Sequence, residues 1–244
     1  MPLLTAGQIE AFWRTGFLAV ERLTCQDDLG RIRRRLSTLF ARFHELPGRH
    51  AFDLGDEGRH TGVQQIPEIN WTIRLVPALK RTPTFRAARA LAAELLGGPT
   101  EHTGFDHAIL KPPHNGRATP WHQDGAYAGP DSLATTVHFW IPLHDVSLEM
   151  GCMQFIPGSH LGPILPHHRR AHRQSAHVME VDGVDATRAV ACPLRAGGAT
   201  VHLPHTLHLT GPNMTDEPRL AWILEFGLVR PRAGWRAWLE ALYS

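Results

Sequence analysis

Thr136-Val137-His138-Phe139-Trp140-Ile141 and Leu220-Ala221-Trp222-Ile223-Leu224-Glu225-Phe226 are the stretches on which the fold class of this 244-residue chain turns. Both are rich in β-branched and aromatic residues and too short for ordinary helices, so they read as strands. Ala108-Ile109-Leu110, Met153-Gln154-Phe155-Ile156 and Ala199-Thr200-Val201-His202-Leu203 are of the same kind, and Pro, Gly and Asn punctuate the chain between them. Several short strands with frequent turn signals predict an antiparallel sandwich or barrel from about residue 100 onward.

The first hundred residues carry a different period. Thr5 caps a short helix through Gln8, Ile9 and Phe12 that ends near Gly16, and Phe17-Leu18-Ala19-Val20 follows as a short strand. Thr24 with Asp27 and Asp28 starts a second helix, whose apolar face is Leu29, Ile32, Leu36, Leu39, Phe40 and Phe43, stopped by Pro47-Gly48. Residues 48–66 lack periodicity and read as a mobile loop or lid. A third helix starts at Thr82-Pro83 and runs through Phe85, Ala88, Leu91 and Leu95 to Gly97-Gly98. Trp235, Trp238, Leu239 and Leu242 predict a C-terminal helix. The expectation is one domain over 1–244, mainly β with flanking α-helices: a helical flank and lid over 1–99, a β core over 100–230 and a helix over 231–244.

Composition narrows the function classes. Hydrophobic residues are 43% and charged residues 20%, the balance of an ordinary globular protein. A net charge of +2 gives no electrostatic footprint for nucleic acid, and Arg31, Arg33, Arg34 and Arg35 fall on the polar side of a helical pattern. Cys25, Cys152 and Cys192 form no CxxC pair and no disulfide framework, which points to a reducing compartment. No apolar run reaches membrane-spanning length, and Met1-Pro2-Leu3-Leu4-Thr5 has no signal-peptide pattern, so the expected location is cytoplasmic. Among the cations only Lys80 and Lys111 are lysines, an arginine skew that fits a GC-rich genome. Seventeen histidines exceed what any single site uses, so spacing must decide among them.

Trp121-His122-Gln123-Asp124-Gly125 supplies that spacing. A histidine and a carboxylate two residues apart share a side of an extended segment. One distant histidine would complete a two-histidine, one-carboxylate facial triad, which suits Fe(II) and leaves positions open; a salt-bridged pair is the bland alternative. His208, in Leu207-His208-Leu209-Thr210-Gly211-Pro212-Asn213, is the preferred third ligand, with His202 and His205 as competitors. The turn at Gly211-Pro212-Asn213 lets the chain double back, so that Arg219 can approach the metal and hold a carboxylate bidentately, with the Thr210 hydroxyl beside it.

These segments resemble the phytanoyl-CoA dioxygenase family of Fe(II)- and 2-oxoglutarate-dependent oxygenases. The matching segments are Ala108 to Pro113, Pro120 to Asp124, Trp140 to Leu143, Glu149 to Met153, Ile156 to His160, Leu207 to Asn213 and Pro218-Arg219. The opening Thr5 to Val20 is also similar, so the likeness covers about residues 4–230. It implies a double-stranded β-helix (jelly-roll) core, with His122, Asp124 and His208 as iron ligands. It further implies that Arg219 and Thr210 hold the distal carboxylate of 2-oxoglutarate. Trp140 stands where the family often has a tryptophan lining the cosubstrate pocket, though a core aromatic also fits. Lys111 either reaches the cosubstrate or an acidic substrate group, or is a surface lysine.

The implied activity is hydroxylation of an unactivated C–H bond of a small molecule with O2, releasing succinate and CO2; the arginine-rich, lysine-poor composition adds the expectation of secondary-metabolite tailoring. Related halogenases replace the carboxylate that this chain keeps as Asp124. Desaturation, epimerisation or cyclisation would use the same triad. Outside the family, a zinc hydrolase or a non-catalytic metal-binding jelly roll would use a similar ligand set. Two positions depart from the family pattern, Gly198-Ala199 in place of Gly-Asp and Met150 in place of asparagine; neither touches the triad. The remaining histidines, His107, His114, His138, His144 and His160 among them, read as core or rim residues, and His167-His168-Arg169-Arg170 as an exposed loop. The segments 48–75 and 161–190 are expected to shape the mouth of the site.

Overall fold

The computed structural model describes residues 3–55, 65–128, 135–169 and 179–229. The expected C-terminal helix lies outside them, as does much of the expected lid. Seven strands form the larger sheet, in the order β1 (Phe17–Val20), β11 (Ala199–His202), β6 (Thr136–Pro142), β13 (Arg219–Leu228), β4 (Thr100–Lys111), β3 (Pro67–Asn70) and β2 (Ala51–Asp53). Four strands form the smaller one, β10 (Val190–Cys192), β7 (Met153–Phe155), β12 (His208–Thr210) and β5 (Thr119–His122). A two-stranded ribbon pairs β8 (His168–Arg169) with β9 (Met179–Glu180). Every pairing in the two main sheets is antiparallel, and the two sheets share one layer of side chains, the double-sheet arrangement of a jelly roll.

Alternation along the central strands explains the layering. On β13, Leu220, Trp222, Leu224 and Phe226 join a core with the helices. Ala221 and Ile223 point the other way, into a second core with Ile109, Trp140, Met153 and Phe155. Strands covered on both faces read as near-continuous apolar runs, which is why β6 and β13 stand out in the sequence.

The helices fall close to where the sequence puts them. Helix α1 (Ala6–Thr15) carries a capping box: Thr5 Oγ1 accepts from the Gln8 amide, and the Gln8 side chain accepts from the Thr5 amide. Helix α2 (Gln26–Ala41) buries Leu29, Ile32, Leu36 and Phe40 and turns Arg31, Arg33 and Arg34 to solvent. Its Asp28 is buried, accepting from the amide and hydroxyl of Thr84 at the start of α4 (Pro83–Leu96). The short α3 (Thr72–Leu75) and α5 (Gly125–Ala128) complete the set.

The expected loop over 48–66 needs correction in part. Residues 51–53 form the edge strand β2, paired with β3. The Asp53 carboxylate accepts from the amides of Gly55, Gln65 and Ile66, closing the chain across residues 56–64. Charged and polar composition hid a strand whose partner is close in sequence but separated by those intervening residues.

Helix α1 is fastened at its C-terminus to the connection between β11 and β12. Gly16 sits at φ +88°, and a Cβ there would run into His160 and Thr206. The Gly16 carbonyl accepts from the Thr206 hydroxyl at 2.8 Å and from the Leu203 amide at 2.9 Å. Gly151, at φ +79°, lets the loop after β6 approach the Gly211 carbonyl, packing it against the β12–β13 turn.

Candidate active site

His122 ends β5 and lies directly opposite His208 on β12, and their ring centroids are 4.1 Å apart. Each ring is oriented locally. His122 Nδ1 donates to the Pro120 carbonyl at 2.7 Å, and His208 Nδ1 donates to the Thr206 carbonyl at 2.8 Å. With Nδ1 committed in each ring, Nε2 is the nitrogen that remains to bind a metal. Both Nε2 atoms face Asp124, with His122 Nε2 3.5 Å from Oδ1 and His208 Nε2 3.7 Å from Oδ2. One ligand atom from each of the three residues lies within 4.8 Å of the others.

Two further histidines hold the same carboxylate. His138 Nδ1, from β6, is 2.7 Å from Asp124 Oδ2, and His202 Nε2, from β11, is 3.2 Å from it. Asp124, His138 and His202 also group their ligand atoms within 4.8 Å. The two sets differ in orientation: His202 Nδ1 is buried without a partner, whereas His122 and His208 each have Nδ1 tied to a carbonyl. The His122, Asp124, His208 set is therefore the one already shaped for an ion, with His138 and His202 as donors to its carboxylate.

Charge follows from burial and neighbours. Burial alone would push the Asp124 carboxyl up, but His208 and His138 beside it hold it well below the usual carboxylate range. Burial, together with His122, holds His208 well below an ordinary histidine. His138 is opposed by burial, yet the Asp124 charge raises it to about 9.

Arg219, the first residue of β13, is fully buried, and its Nε and both terminal nitrogens lack hydrogen-bond partners. Its guanidinium lies 5.3 Å from the Trp140 ring centroid, a cation–π contact, and burial lowers it to about 9. Directly opposite on β4 stands Lys111, also fully buried. Lys111 Nζ donates to the Thr210 carbonyl (3.0 Å), the Thr210 hydroxyl (2.9 Å) and the Gly211 carbonyl (2.6 Å). Lys111 thus spends its donors on the β12–β13 turn. Arg219 keeps all of its donors available.

That difference is the test of fit for an anionic cosubstrate. A buried guanidinium without a partner is costly unless a carboxylate completes it, and its planar fork suits two parallel hydrogen bonds. The donor set of two imidazoles and one carboxylate likewise suits Fe(II) with open positions. Both groups fit the residues present.

Of the seven residues singled out in the sequence, His122, Asp124 and His208 lie around one point, while Trp140 faces the Arg219 guanidinium, Lys111 stands opposite Arg219 and Lys111 donates to Thr210. Two histidines that the sequence places in the core or rim, and Glu225, which it does not single out, also face the site. His107, His138 and Glu225 line a cavity of about 280 Å³ with His122 and Asp124. Their signal was available: His107 and His138 sit at inward positions of their strands, in phase with Ile109 and Trp140. His160, His144 and His114 do bond elsewhere, to the Trp13 carbonyl, the Leu220 amide and Asp216.

Comparisons with known proteins place this arrangement. The family model described as phytanoyl-CoA dioxygenase (PhyH) matches residues 12–221. The Mus musculus phytanoyl-CoA dioxygenase domain-containing protein 1 is 32% identical over 118 residues, 47% of this chain and 40% of the mouse protein. The matched region is thus about two-fifths of that relative's length. Among solved structures, EvdO2 from Micromonospora carbonacea var. aurantiaca complexed with 2-oxoglutarate is 32% identical with a TM-score of 0.78, covering 95% of this chain and 96% of that one. The non-heme alpha ketoglutarate dependent epimerase SnoN from nogalamycin biosynthesis is 25% identical with a TM-score of 0.66, covering 96% and 87%. With the family model spanning most of its length, this chain belongs to the phytanoyl-CoA dioxygenase family.

Proposed function

We infer that this chain is an Fe(II)- and 2-oxoglutarate-dependent oxygenase, a single domain in which His122, Asp124 and His208 hold the iron and Arg219 anchors the far carboxylate of 2-oxoglutarate. Its reaction is hydroxylation of an unactivated C–H bond of a small molecule, with release of succinate and CO2. The observation that carries this reading is Arg219: a buried, unpartnered guanidinium on the same inward sheet face as the pocket. A hydrolase has no use for it.

When bound, the iron supplies open coordination positions and the oxidising power for C–H cleavage. The chain's own residues do the rest. Pro120 and Thr206 fix the ligand tautomers through their carbonyls. His138 and His202 donate to Asp124 and hold its carboxylate in register with the histidines. Trp140 supports the Arg219 plane, and Lys111 fixes the Thr210-Gly211 turn beside it. The apolar layer of Ile109, Met153, Phe155 and Ile223 keeps bulk water from the interior of the site.

No helix among the described residues is long and apolar enough to cross a membrane. Cytoplasmic location rests on the cysteine pattern, and secondary-metabolite tailoring rests on likeness to SnoN from nogalamycin biosynthesis. The same likeness, to an epimerase, supports a second reading in which the substrate is inverted rather than hydroxylated. Product mass separates the two, since only hydroxylation adds an oxygen atom.

The test is anaerobic titration with Fe(II) and then 2-oxoglutarate, following the visible charge-transfer band of their chelate. A band in the wild type that is lost in His208→Ala and weakened in Arg219→Ala is the expected result. No band, with tight zinc binding instead, would overturn the assignment in favour of a hydrolase or a non-catalytic metal-binding protein.

A further inference from the structure

Strand β13 begins at Arg219, but its pairing with β6 begins only at Ala221, opposite Pro142. Arg219 and Leu220 therefore run past the end of β6. One backbone hydrogen bond still reaches them from that side, from the Leu143 amide to the Leu220 carbonyl at 3.0 Å. In a regular antiparallel pair the Leu220 amide would return a bond to the Leu143 carbonyl. It donates instead to Nε2 of the His144 side chain, at 2.9 Å. An imidazole thus takes the place of a strand carbonyl at the root of the buried guanidinium.

His144 is held for that bond from its own loop. A backbone amide can only donate, so Nε2 carries the lone pair and Nδ1 the proton, which goes to the Asp145 carbonyl at 2.9 Å. Burial holds the ring below an ordinary histidine, opposed by the Asp145 carbonyl and carboxylate and reinforced by Arg219 and by Arg33 of α2, which favours the neutral form. Asp145 is fixed in turn, its carboxylate accepting from the Arg195 guanidinium at 2.6 Å and the Ala196 amide at 2.8 Å. The support for the Leu220 amide therefore comes from a segment anchored independently of β13. Leu220 is buried, so water is a poor substitute for that acceptor.

We propose that His144 is a positioning residue for the cosubstrate anchor: by accepting from the Leu220 amide it fixes the Arg219–Leu220 peptide, and with it the aim of the Arg219 guanidinium at the far carboxylate of a 2-oxo dicarboxylic acid. The proposal rests on the reading of Arg219 as the 2-oxoglutarate anchor. The Leu220 nitrogen is bonded to the carbonyl carbon of Arg219, so holding it sets the backbone rotation from which the arginine side chain departs. A guanidinium forms two parallel hydrogen bonds to a carboxylate only when the two planes are aligned, and a small rotation at its root costs affinity. On the side of β4, Lys111 stands opposite Arg219 and gives the strand a paired edge. On the side of β6 the register of paired residues stops short of Arg219, and His144 supplies the hold that the sheet does not.

The experiment uses the whole chain loaded with Fe(II) in the absence of oxygen at neutral pH, and follows the visible chelate band with two probes. 2-Oxoglutarate engages Arg219; 2-oxovalerate has the same chelating end and the same number of carbons but no far carboxylate. In His144→Leu, half-saturation by 2-oxoglutarate is expected to rise about 3- to 10-fold, the loss of one hydrogen bond. Band intensity at saturation and half-saturation by 2-oxovalerate are expected to stay as in the wild type, which a general loss of structure would not allow. His144→Gln, with an acceptor at about the reach of Nε2, should restore the wild-type value. His144→Asn, polar but too short, should behave as the leucine variant does and keeps the test open if that variant fails to fold. An unchanged half-saturation by 2-oxoglutarate, an equal rise for both acids, or an equal rise in the glutamine variant overturns this proposal alone. Equal half-saturation by the two acids in the wild type, or no band at all, overturns the cosubstrate reading and this proposal with it.

Discussion

Replacing Arg219 by methionine should make the metal-free, cosubstrate-free protein more stable while weakening its response to 2-oxoglutarate. Held down to about 9 against an ordinary 12.5, the guanidinium remains charged at neutral pH. At 1.36 kcal/mol per pH unit this costs roughly 5 kcal/mol. The sign is fixed by linkage: between about 9 and 12.5 the unfolded chain binds the proton that the folded one has lost, so stability rises with pH there. Methionine removes that cost but forfeits the cation–π contact with Trp140, about 1–2 kcal/mol, and leaves a small cavity worth about 1 kcal/mol. The net gain is about 2–3 kcal/mol, a rise in Tm of roughly 5–10 °C for a chain of this length. Thermal melts of the two proteins without metal read it directly. With Mn(II) present throughout, adding 2-oxoglutarate at a hundred times its wild-type Kd should stabilise the wild type by about 2.7 kcal/mol and the variant by much less. A variant that melts at or below the wild type would show that the guanidinium has a protein partner in solution, and the argument from an unpartnered cation would fail.

Four other outcomes follow from the geometry. Asp124→Ala should lose bound Fe(II), measured by metal content after desalting, because it removes the only carboxylate within reach of both His122 and His208 among the described residues. Lys111→Met should lower the urea midpoint by an amount equivalent to about 3 kcal/mol or more, since it strands the Thr210 and Gly211 carbonyls and the Thr210 hydroxyl. In the metal-free protein, His138 is raised to about 9 by Asp124, so its stabilising contribution is full below about 6.5 and lost as pH rises through about 9. His138→Phe should flatten the urea midpoint across that window. Thiol titration of the native protein at pH 8 should find one reactive cysteine, exposed Cys25, because burial raises Cys152 and pushes Cys192 up to about 12; denaturation should release all three.

What could be read from the sequence depended on how local the determining physics is. The capping box of Thr5 and Gln8, the proline at the start of α4 and the apolar face of α2 are settled within a few residues, and each lies where the sequence puts it. Strands β6 and β13 announce themselves because both faces are covered. Strand β4 was visible only at Ala108-Ile109-Leu110, although it runs from Thr100 to Lys111. Its first half, Thr100 to Phe105, is polar up to Gly104, and that composition blends into a loop. Strand β2 escaped for a related reason: Ala51–Asp53 has no apolar run, and its pairing with β3 is stabilised from outside by the Asp53 carboxylate.

At the site, spacing together with the family resemblance singled out His122, Asp124, His208 and Arg219, because a motif fixes the order of chemical groups along a strand. It did not say which donors are already used. Lys111 and Arg219 are both buried cations on neighbouring strands, and only the fold shows that one is saturated by the Thr210-Gly211 turn while the other is not. The same holds for Glu68 and His107, which come from strands some forty residues apart and become a pair only when β3 docks on β4.

The fastening of α1 to the connection between β11 and β12 reaches further than packing. The Thr206 residue whose hydroxyl grips the Gly16 carbonyl also offers the carbonyl that orients His208. The inner end of the first helix and the distal imidazole therefore share a single residue as their hinge pin. Homologous exchange of the first twenty residues would act on the iron site at one remove, through the angle of one ring, without altering any ligand. Tolerance to sequence drift should accordingly be lowest at the Gly16 junction and higher on the solvent side of the same helix, a gradient of constraint running along the helix away from the metal.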